Sequence, residues 1–157
     1  MTGRWRSWSR VDLGKGITDE IKKMLWQKAG PIITTQGYLP TIESNLIPRV
    51  HPNQFFGDME NGADQELKWK FLAAHSSSAL AVNNFAPFKD HPDHLMLLDQ
   101  KNFGPPTFEK KLPTGLGGTP PTLDVWLQSG IEGWAIESKF LEFAFVNSER
   151  WIKKGNA

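Results

Sequence analysis

Three ionisable residues in the last third of the chain, Asp124, Glu137 and Lys139, are of types that can hold a divalent cation and contact a phosphate oxygen. Two carboxylates held together repel each other, and a divalent cation with oxygen ligands is the simplest compensation. An ammonium group beside such a cation can orient a water or stabilise negative charge on a phosphate oxygen. The three residues predict a divalent-cation site, with Lys139 beside a metal-bound water or a phosphate oxygen, if the fold brings Asp124 close to Glu137.

The element that must position these groups is a β-hairpin over residues 121–142. In the first arm aliphatic residues alternate with polar or aromatic ones, so a strand places Asp124 on the face opposite the aliphatic side chains. In the second arm the period of two places Glu137 and Lys139 side by side on one face. Residues 128–133 contain two glycines that supply the backbone angles of a reversal. The hairpin therefore predicts proximity between Asp124 and Glu137.

Apolar residues are dense in both arms of the hairpin. This density predicts strands covered on both faces, where a carboxylate requires a partner or a metal. The apolar set is Leu123, Val125, Trp126, Trp134, Ile136 and Phe140.

The hairpin resembles the signature of the PD-(D/E)XK, or restriction-endonuclease-like, nuclease superfamily. Asp124 lies in a hydrophobic strand, twelve residues follow, and Glu137-Ser138-Lys139 comes after an apolar residue. Residues 135–142 look like the version found in a bacterial branch of that superfamily. The proline departs from the pattern, because two residues separate Pro121 from Asp124.

The resemblance implies a mixed α/β (α+β) fold with a restriction-endonuclease-like core, in which helices flank a mixed central sheet. It also implies a Mg²⁺-dependent (or Mn²⁺-dependent) nuclease that hydrolyses DNA phosphodiester bonds. Asp124 and Glu137 would hold one or two cations, with the carbonyl of Ser138 as a further ligand. Lys139 would orient the attacking water or stabilise the transition-state charge.

A long helix over residues 64–85, capped by Asp64, is the second predicted element of the core. The superfamily commonly begins its core with a helix whose glutamate reaches the metal site. By that resemblance Glu66 would be an accessory catalytic group. The alternative is an exposed first-turn glutamate that the helix dipole stabilises.

The N-terminal residues 1–16 form a basic segment with interleaved tryptophans. Arg4, Arg6 and Arg10 are candidates for nucleic-acid contacts through charge, with the tryptophans adding stacking. The alternative is an arm that buries its tryptophan rings on the protein surface. Thr18 can cap a helix over residues 18–28 with one apolar stripe.

The remaining segments complete a single domain with two parts. Residues 30–62 predict mostly loop, ending in a polar turn at 58–62, and residues 107–112 predict the first strand. We expect an N-terminal arm, helix and loop over residues 1–62, packed on a nuclease-like core over residues 63–157. The resemblance implies a helix and usually another strand after Lys139. Residues 141–154 can supply the helix at most, so we expect the last strand of the core to be missing.

The missing strand has two interpretations. The chain is a short or truncated member, or another copy completes the sheet. The exposed strand edge with its aromatic surface predicts a homodimer or a higher homo-oligomer.

Composition narrows the functional class. The chain has 157 residues, 39% of them hydrophobic and 22% charged, which fits one globular domain. The net charge of +1 does not by itself indicate nucleic-acid binding, and the absence of cysteine excludes disulfides, thiolate metal sites and a cysteine nucleophile. No apolar run is long enough to span a membrane, so we expect a cytoplasmic protein without membrane contact.

Two alternatives to a nuclease remain at this stage. The first is a catalytically inactive nucleic-acid-binding or assembly module with the same fold. A hairpin in which Asp124 and Glu137 diverge, or a structural ion pair at Lys139, would indicate it. The second is an α/β protein in which the motif is accidental, which would follow if residues 64–85 did not pack against the hairpin.

Overall fold

The computed structural model describes residues 10–29, 33–34, 37–60, 66–113, 115 and 118–140. It shows a mixed fold of helices and one three-stranded antiparallel sheet. The α-helices are α1 (Arg10–Ala29), α2 (Phe56–Glu60) and α3 (Ser77–Phe85). The strands are β1 (Thr107–Lys111), β2 (Thr122–Ser129) and β3 (Glu132–Ile136). Short helical turns lie at Glu43–Asn45, Pro52–Gln54, Glu66–Lys70, Ala86–Phe88 and Pro92–His94, and the turn at Glu66–Lys70 is π-helical.

The sheet is a meander with the order β1-β2-β3, so β2 is paired on both sides. Val125 is opposite Phe108 in β1 and Ile136 in β3. The predicted hairpin is confirmed in part. Its turn is shorter than expected because both strands extend into residues 128–133, and its second strand ends at Ile136 instead of continuing through Glu137 and Lys139. Two residues, Gly130 and Ile131, connect the strands, and Gly130 has a φ of 58°, a conformation that glycine adopts without steric cost.

The core forms where the aliphatic face of β2 packs against residues of the helices and of the connecting loops. Val125 and Leu127 are fully buried, and the rings of Phe55 and Phe71 stack with centroids 5.3 Å apart. One buried cluster includes residues from both sides of position 62, so the N-terminal and C-terminal parts share a core. Its members are Val50, Phe55, Met59, Phe71, Ala79, Ala81, Val82, Ala86, Leu95, Phe103, Phe108, Val125 and Leu127.

The predicted continuous helix over residues 64–85 is wrong. A π-helical turn at Glu66–Lys70 is followed by irregular backbone, and α3 begins only at Ser77. The Ser76 hydroxyl accepts a hydrogen bond from the Ala79 amide at 3.1 Å and caps the new helix. Serine favours such caps over helix interiors, so this serine-rich stretch starts a helix instead of continuing one.

Hydrogen bonds from distant residues occupy backbone carbonyls that a continuous helix would have used for its own hydrogen bonds. The Asn45 side chain donates to the carbonyls of Phe71 and Ala73, at 2.7 and 2.9 Å. The Leu39 amide donates to the Leu72 carbonyl at 2.8 Å, and Tyr38 forms an isolated bridge with Ala73. Partners far apart in sequence therefore override the local helical preference of this segment.

Two further boundaries differ from expectation. Helix α1 begins at Arg10 instead of at Thr18, so it includes part of the segment that was predicted to be irregular. Helix α2 covers the start of the predicted polar turn at 58–62, and its Asp58 has a structural role. The Asp58 carboxylate accepts hydrogen bonds from the Lys89 ammonium at 2.6 Å and from the Phe108 amide at 3.0 Å. The bond from the Phe108 amide attaches the outer edge of β1 to α2.

The predicted first strand is confirmed as β1. The helix predicted over residues 141–154 and the missing last strand lie outside the described residues. Among the residues that the structure describes, no helix is both long and apolar enough to cross a membrane.

Burial in β2 leads to a stability prediction with a matched control. Leu127 is fully buried, whereas Leu98 is 83% exposed. We expect Leu127→Ala to lower the free energy of unfolding by about 2–5 kcal/mol, because it removes buried methyl groups and leaves a cavity. Leu98→Ala should change it by less than about 0.5 kcal/mol. Urea denaturation followed by circular dichroism measures both, and equal effects would contradict the assigned core.

Candidate active site

The site begins where the ladder between β2 and β3 ends. Its last pair is Val125↔Ile136, so continuing the register by one residue sets Asp124 opposite Glu137. Directly opposed residues in antiparallel strands have Cβ atoms about 4.5–5.5 Å apart. The Ser138 amide donates to Asp124 Oδ2 at 2.6 Å, which shows that the chain stays close to β2 beyond the ladder. The hairpin thus brings the predicted carboxylates to one end of the same strand pair.

Lys139 lies beside Glu137, although the strand that was predicted to carry both residues ends at Ile136. Its Nζ is 3.2 Å from Glu137 Oε2, and the two side chains are 48% and 51% exposed. An ion pair this exposed contributes at most about 1 kcal/mol to stability. The pair therefore leaves both groups able to exchange partners.

The expectation that both faces of the hairpin are covered is wrong for this strand. Ala135, Glu137 and Lys139 are all exposed, and β3 is an edge strand of the described sheet. The apolar side chains of β3 are instead on the opposite face, where Trp134 and Ile136 pack against the core. The motif is therefore open to solvent and to a large substrate.

Ser138 connects this motif to α3. Its hydroxyl donates to the main-chain carbonyl of Ser77 at 2.8 Å, in the first turn of the helix. Sequence reasoning assigned only the Ser138 carbonyl a role and missed the hydroxyl. No sequence signal identifies this contact, because the acceptor is a backbone atom 61 residues away.

Glu109 in β1 is a further acidic residue that sequence reasoning did not single out. The β1–β2 register aligns it with Asp124, but this pair is absent from the ladder and Glu109 has a φ of 49°. Glu109 and Asp124 thus occupy corresponding positions in β1 and β2, and Glu137 follows directly after β3. Their side chains do not converge, since the described residues contain no group of three acidic, histidine or cysteine side chains that could hold a metal.

Four other predicted residues have side chains outside the described part of the structure. The backbone of Glu66 lies in the π-helical turn, and Arg10 begins α1. Arg4 and Arg6 precede the described residues. The roles of Glu66 as an accessory group and of the arginines in nucleic-acid contacts stay predictions.

The donor chemistry of the motif fits a magnesium or manganese ion. The carboxylates of Asp124 and Glu137 and the carbonyl of Ser138 are oxygen ligands, which hard divalent cations prefer. In the structure Asp124 accepts the Ser138 amide, and Glu137 is paired with Lys139. These residues could hold a cation after Glu137 releases its weak ion pair.

A polar groove of about 220 Å³ lies at the start of α3. Lys70, His75 and Ser77 are among the residues that line it. Ser77 belongs both to this groove and to the contact with Ser138. The groove and the motif are therefore neighbouring features of one surface.

The described residues combine a mixed fold of helices and an antiparallel sheet with two carboxylates and a lysine at one end of a hairpin. Residues 20–156 match the family described as Restriction Endonuclease associating with ARP. This match covers most of the chain, which therefore belongs to that family. No curated protein and no solved structure matches the chain.

The two carboxylates should differ in their effect on stability. Asp124 accepts a short hydrogen bond from the backbone, whereas Glu137 makes an exposed ion pair. We expect Asp124→Ala to lower the free energy of unfolding by about 1–3 kcal/mol and Glu137→Ala by less than about 1 kcal/mol. Urea denaturation in EDTA measures both without bound metal. An equal loss in Glu137→Ala would assign that residue a structural role.

Proposed function

We propose that the chain is a metal-dependent nuclease of the PD-(D/E)XK type that hydrolyses DNA phosphodiester bonds. The observation that carries this proposal is the hairpin register. Its ladder ends at Val125 and Ile136, immediately next to Asp124 and Glu137, and the Lys139 ammonium lies 3.2 Å from the Glu137 carboxylate. Family membership supports a nuclease-related role on independent grounds.

Each group has a separate task in this proposal. A bound Mg²⁺ or Mn²⁺ would supply positive charge against the phosphate and make a nearby water more acidic. Asp124 and Glu137 hold the cation, and the Ser138 carbonyl adds an oxygen ligand. Lys139, on the exposed face, contacts a phosphate oxygen or orients the attacking water. The proposed accessory role of Glu66 completes the set.

The packing of the motif argues against an accidental match. Helix α3 contacts β2, and the Ser138 hydroxyl bonds to the first turn of that helix. The chain order is a helix followed by three antiparallel strands, with the motif on the second strand and just after the third. This order fits the proposed restriction-endonuclease-like core.

The second candidate function is a catalytically inactive nucleic-acid-binding or assembly module with the same fold. The ion pair between Lys139 and Glu137 is the observation that favours it, because a lysine committed to that pair could not act on a phosphate. The high exposure of both side chains makes the pair weak. We therefore place the nuclease first.

The family description also suggests a protein partner. It names association with ARP, and we propose that this chain acts in such an association. Leu98 and Ile131 are large apolar side chains that are 83% and fully exposed, respectively, and such side chains are available for protein contacts. Self-association stays a second proposal for the same surfaces.

A cleavage assay tests the nuclease proposal. Plasmid and single-stranded DNA are incubated with the protein and Mg²⁺ or Mn²⁺, and products are resolved on gels. We expect metal-dependent cleavage that EDTA abolishes. Asp124→Ala and Lys139→Ala should each reduce the rate by at least about 100-fold, because each removes charge that acts in the transition state.

The matched control for Lys139 is Lys101→Ala. Lys101 is an exposed lysine near the opposite end of the hairpin, where its carbonyl accepts from Ser129. This variant should cleave within about twofold of the wild-type rate. Folded wild-type protein that binds DNA without cutting it would favour the inactive module, and equal losses in Lys101→Ala and Lys139→Ala would remove the specific role of Lys139.

A further inference from the structure

The catalytic motif is not inside the regular sheet. Strand β3 ends at Ile136, and Glu137, Ser138 and Lys139 follow in irregular backbone. Beyond a ladder's end, strand residues lose the hydrogen bonds that fix their register. The placement of Glu137 and Lys139 therefore depends on contacts other than β-pairing.

Ser138 makes two such contacts, and they go to different elements. Its amide donates to Asp124 Oδ2 in β2, and its hydroxyl donates to the Ser77 carbonyl in α3, at 2.6 and 2.8 Å. Ser138 is half-buried, whereas its neighbours Glu137 and Lys139 are exposed. The residue between the two functional side chains therefore faces inward and is hydrogen-bonded on that side.

We propose that Ser138 is a positioning residue that holds Asp124, Glu137 and Lys139 in their working arrangement before any cation binds. This inference rests on the proposed nuclease function and deepens it. The amide bond orients the Asp124 carboxylate, and the hydroxyl bond fixes the backbone that carries Glu137 and Lys139. Neither bond requires Ser138 to contact the substrate.

The contacts of Ser138 matter more for the precise placement of Glu137 and Lys139 than for the stability of the fold. An exposed ion pair contributes little, so Glu137 and Lys139 do not hold each other in place. A displacement of about 1 Å in a catalytic group can lower the rate on the order of 100-fold. A half-buried hydroxyl bonded to a rigid helix is a firmer restraint, because the helix backbone has few alternative positions.

The side chain suited to this role is small and carries a hydroxyl. Alanine at position 138 would keep the amide donor and lose the bond to Ser77. Threonine would keep both donors, and its β-branched side chain suits extended backbone. The Ser138→Ala and Ser138→Thr pair therefore separates the hydroxyl from the backbone contact.

Hydrogen exchange of the full-length protein in EDTA tests the placement without metal or activity. In Ser138→Ala we expect the amides of residues 137–139 to exchange about three- to tenfold faster, the factor for losing one hydrogen bond of ordinary net strength. Ser138→Thr should restore the wild-type rate within about twofold. The amides within β1 and the centre of α3 should be unchanged, because those elements keep their own bonds.

Cleavage kinetics with Mg²⁺ form the second measurement. We expect Ser138→Ala to lower kcat by at least about tenfold with KM for DNA nearly unchanged, because substrate contacts remain while the catalytic groups are misplaced. The control is Ser129→Ala, which removes another hydroxyl of the same hairpin whose acceptor is also a backbone carbonyl, that of Lys101. It should leave both kcat and exchange at residues 137–139 unchanged.

The outcomes separate this inference from the nuclease proposal. Unchanged exchange at residues 137–139 in Ser138→Ala overturns the positioning role, whatever the cleavage data show. Failure of Ser138→Thr to restore exchange also overturns it. Wild-type protein that cuts no DNA overturns the nuclease proposal, and exchange alone then decides whether Ser138 places the motif.

Discussion

The burial of one face of β2 is the constraint on which the rest of the structure depends. Val125 and Leu127 are fully buried, and β2 is paired on both sides. Because strand side chains alternate with a period of two, a slip of one residue would expose both of them and bury Asp124 instead. The hydrophobic effect at Val125 and Leu127 therefore fixes the register of β2 and β3, whose ladder ends at Val125 and Ile136, next to Asp124 and Glu137.

The hairpin could be predicted from sequence because its signals are local. Alternation around Asp124 and the glycines of the turn specify two strands and their approximate register. The helix over residues 64–85 could not be predicted, because its interruption depends on distant partners such as Asn45, whose side chain holds the Phe71 and Ala73 carbonyls. The apolar periodicity of residues 64–85 does not show that a side chain from another segment will bind their backbone carbonyls.

The candidate site likewise has a part that is visible in the sequence and a part that only the structure shows. The types and spacing of Asp124, Glu137 and Lys139 are visible in the sequence, and the structure puts them at one end of a hairpin. The exposure of Glu137 was not predictable from apolar composition, because the large apolar residues of β3, Trp134 and Ile136, turn to the opposite face. The hydroxyl contact of Ser138 and the alignment of Glu109 with Asp124 require the three-dimensional register.

Two lysine–carboxylate pairs in this protein differ in burial, and this difference distinguishes a structural pair from the pair in the candidate site. Lys89 and Asp58 are 2.6 Å apart with side chains 20% and 23% exposed, and Asp58 also accepts the Phe108 amide. The pair of Lys139 and Glu137 is longer and about twice as exposed. Partial burial strengthens the first pair, because the surrounding medium screens it less. Solvent weakens the second, which suits the proposed function, in which Glu137 and Lys139 would exchange partners when a phosphate or a cation arrives.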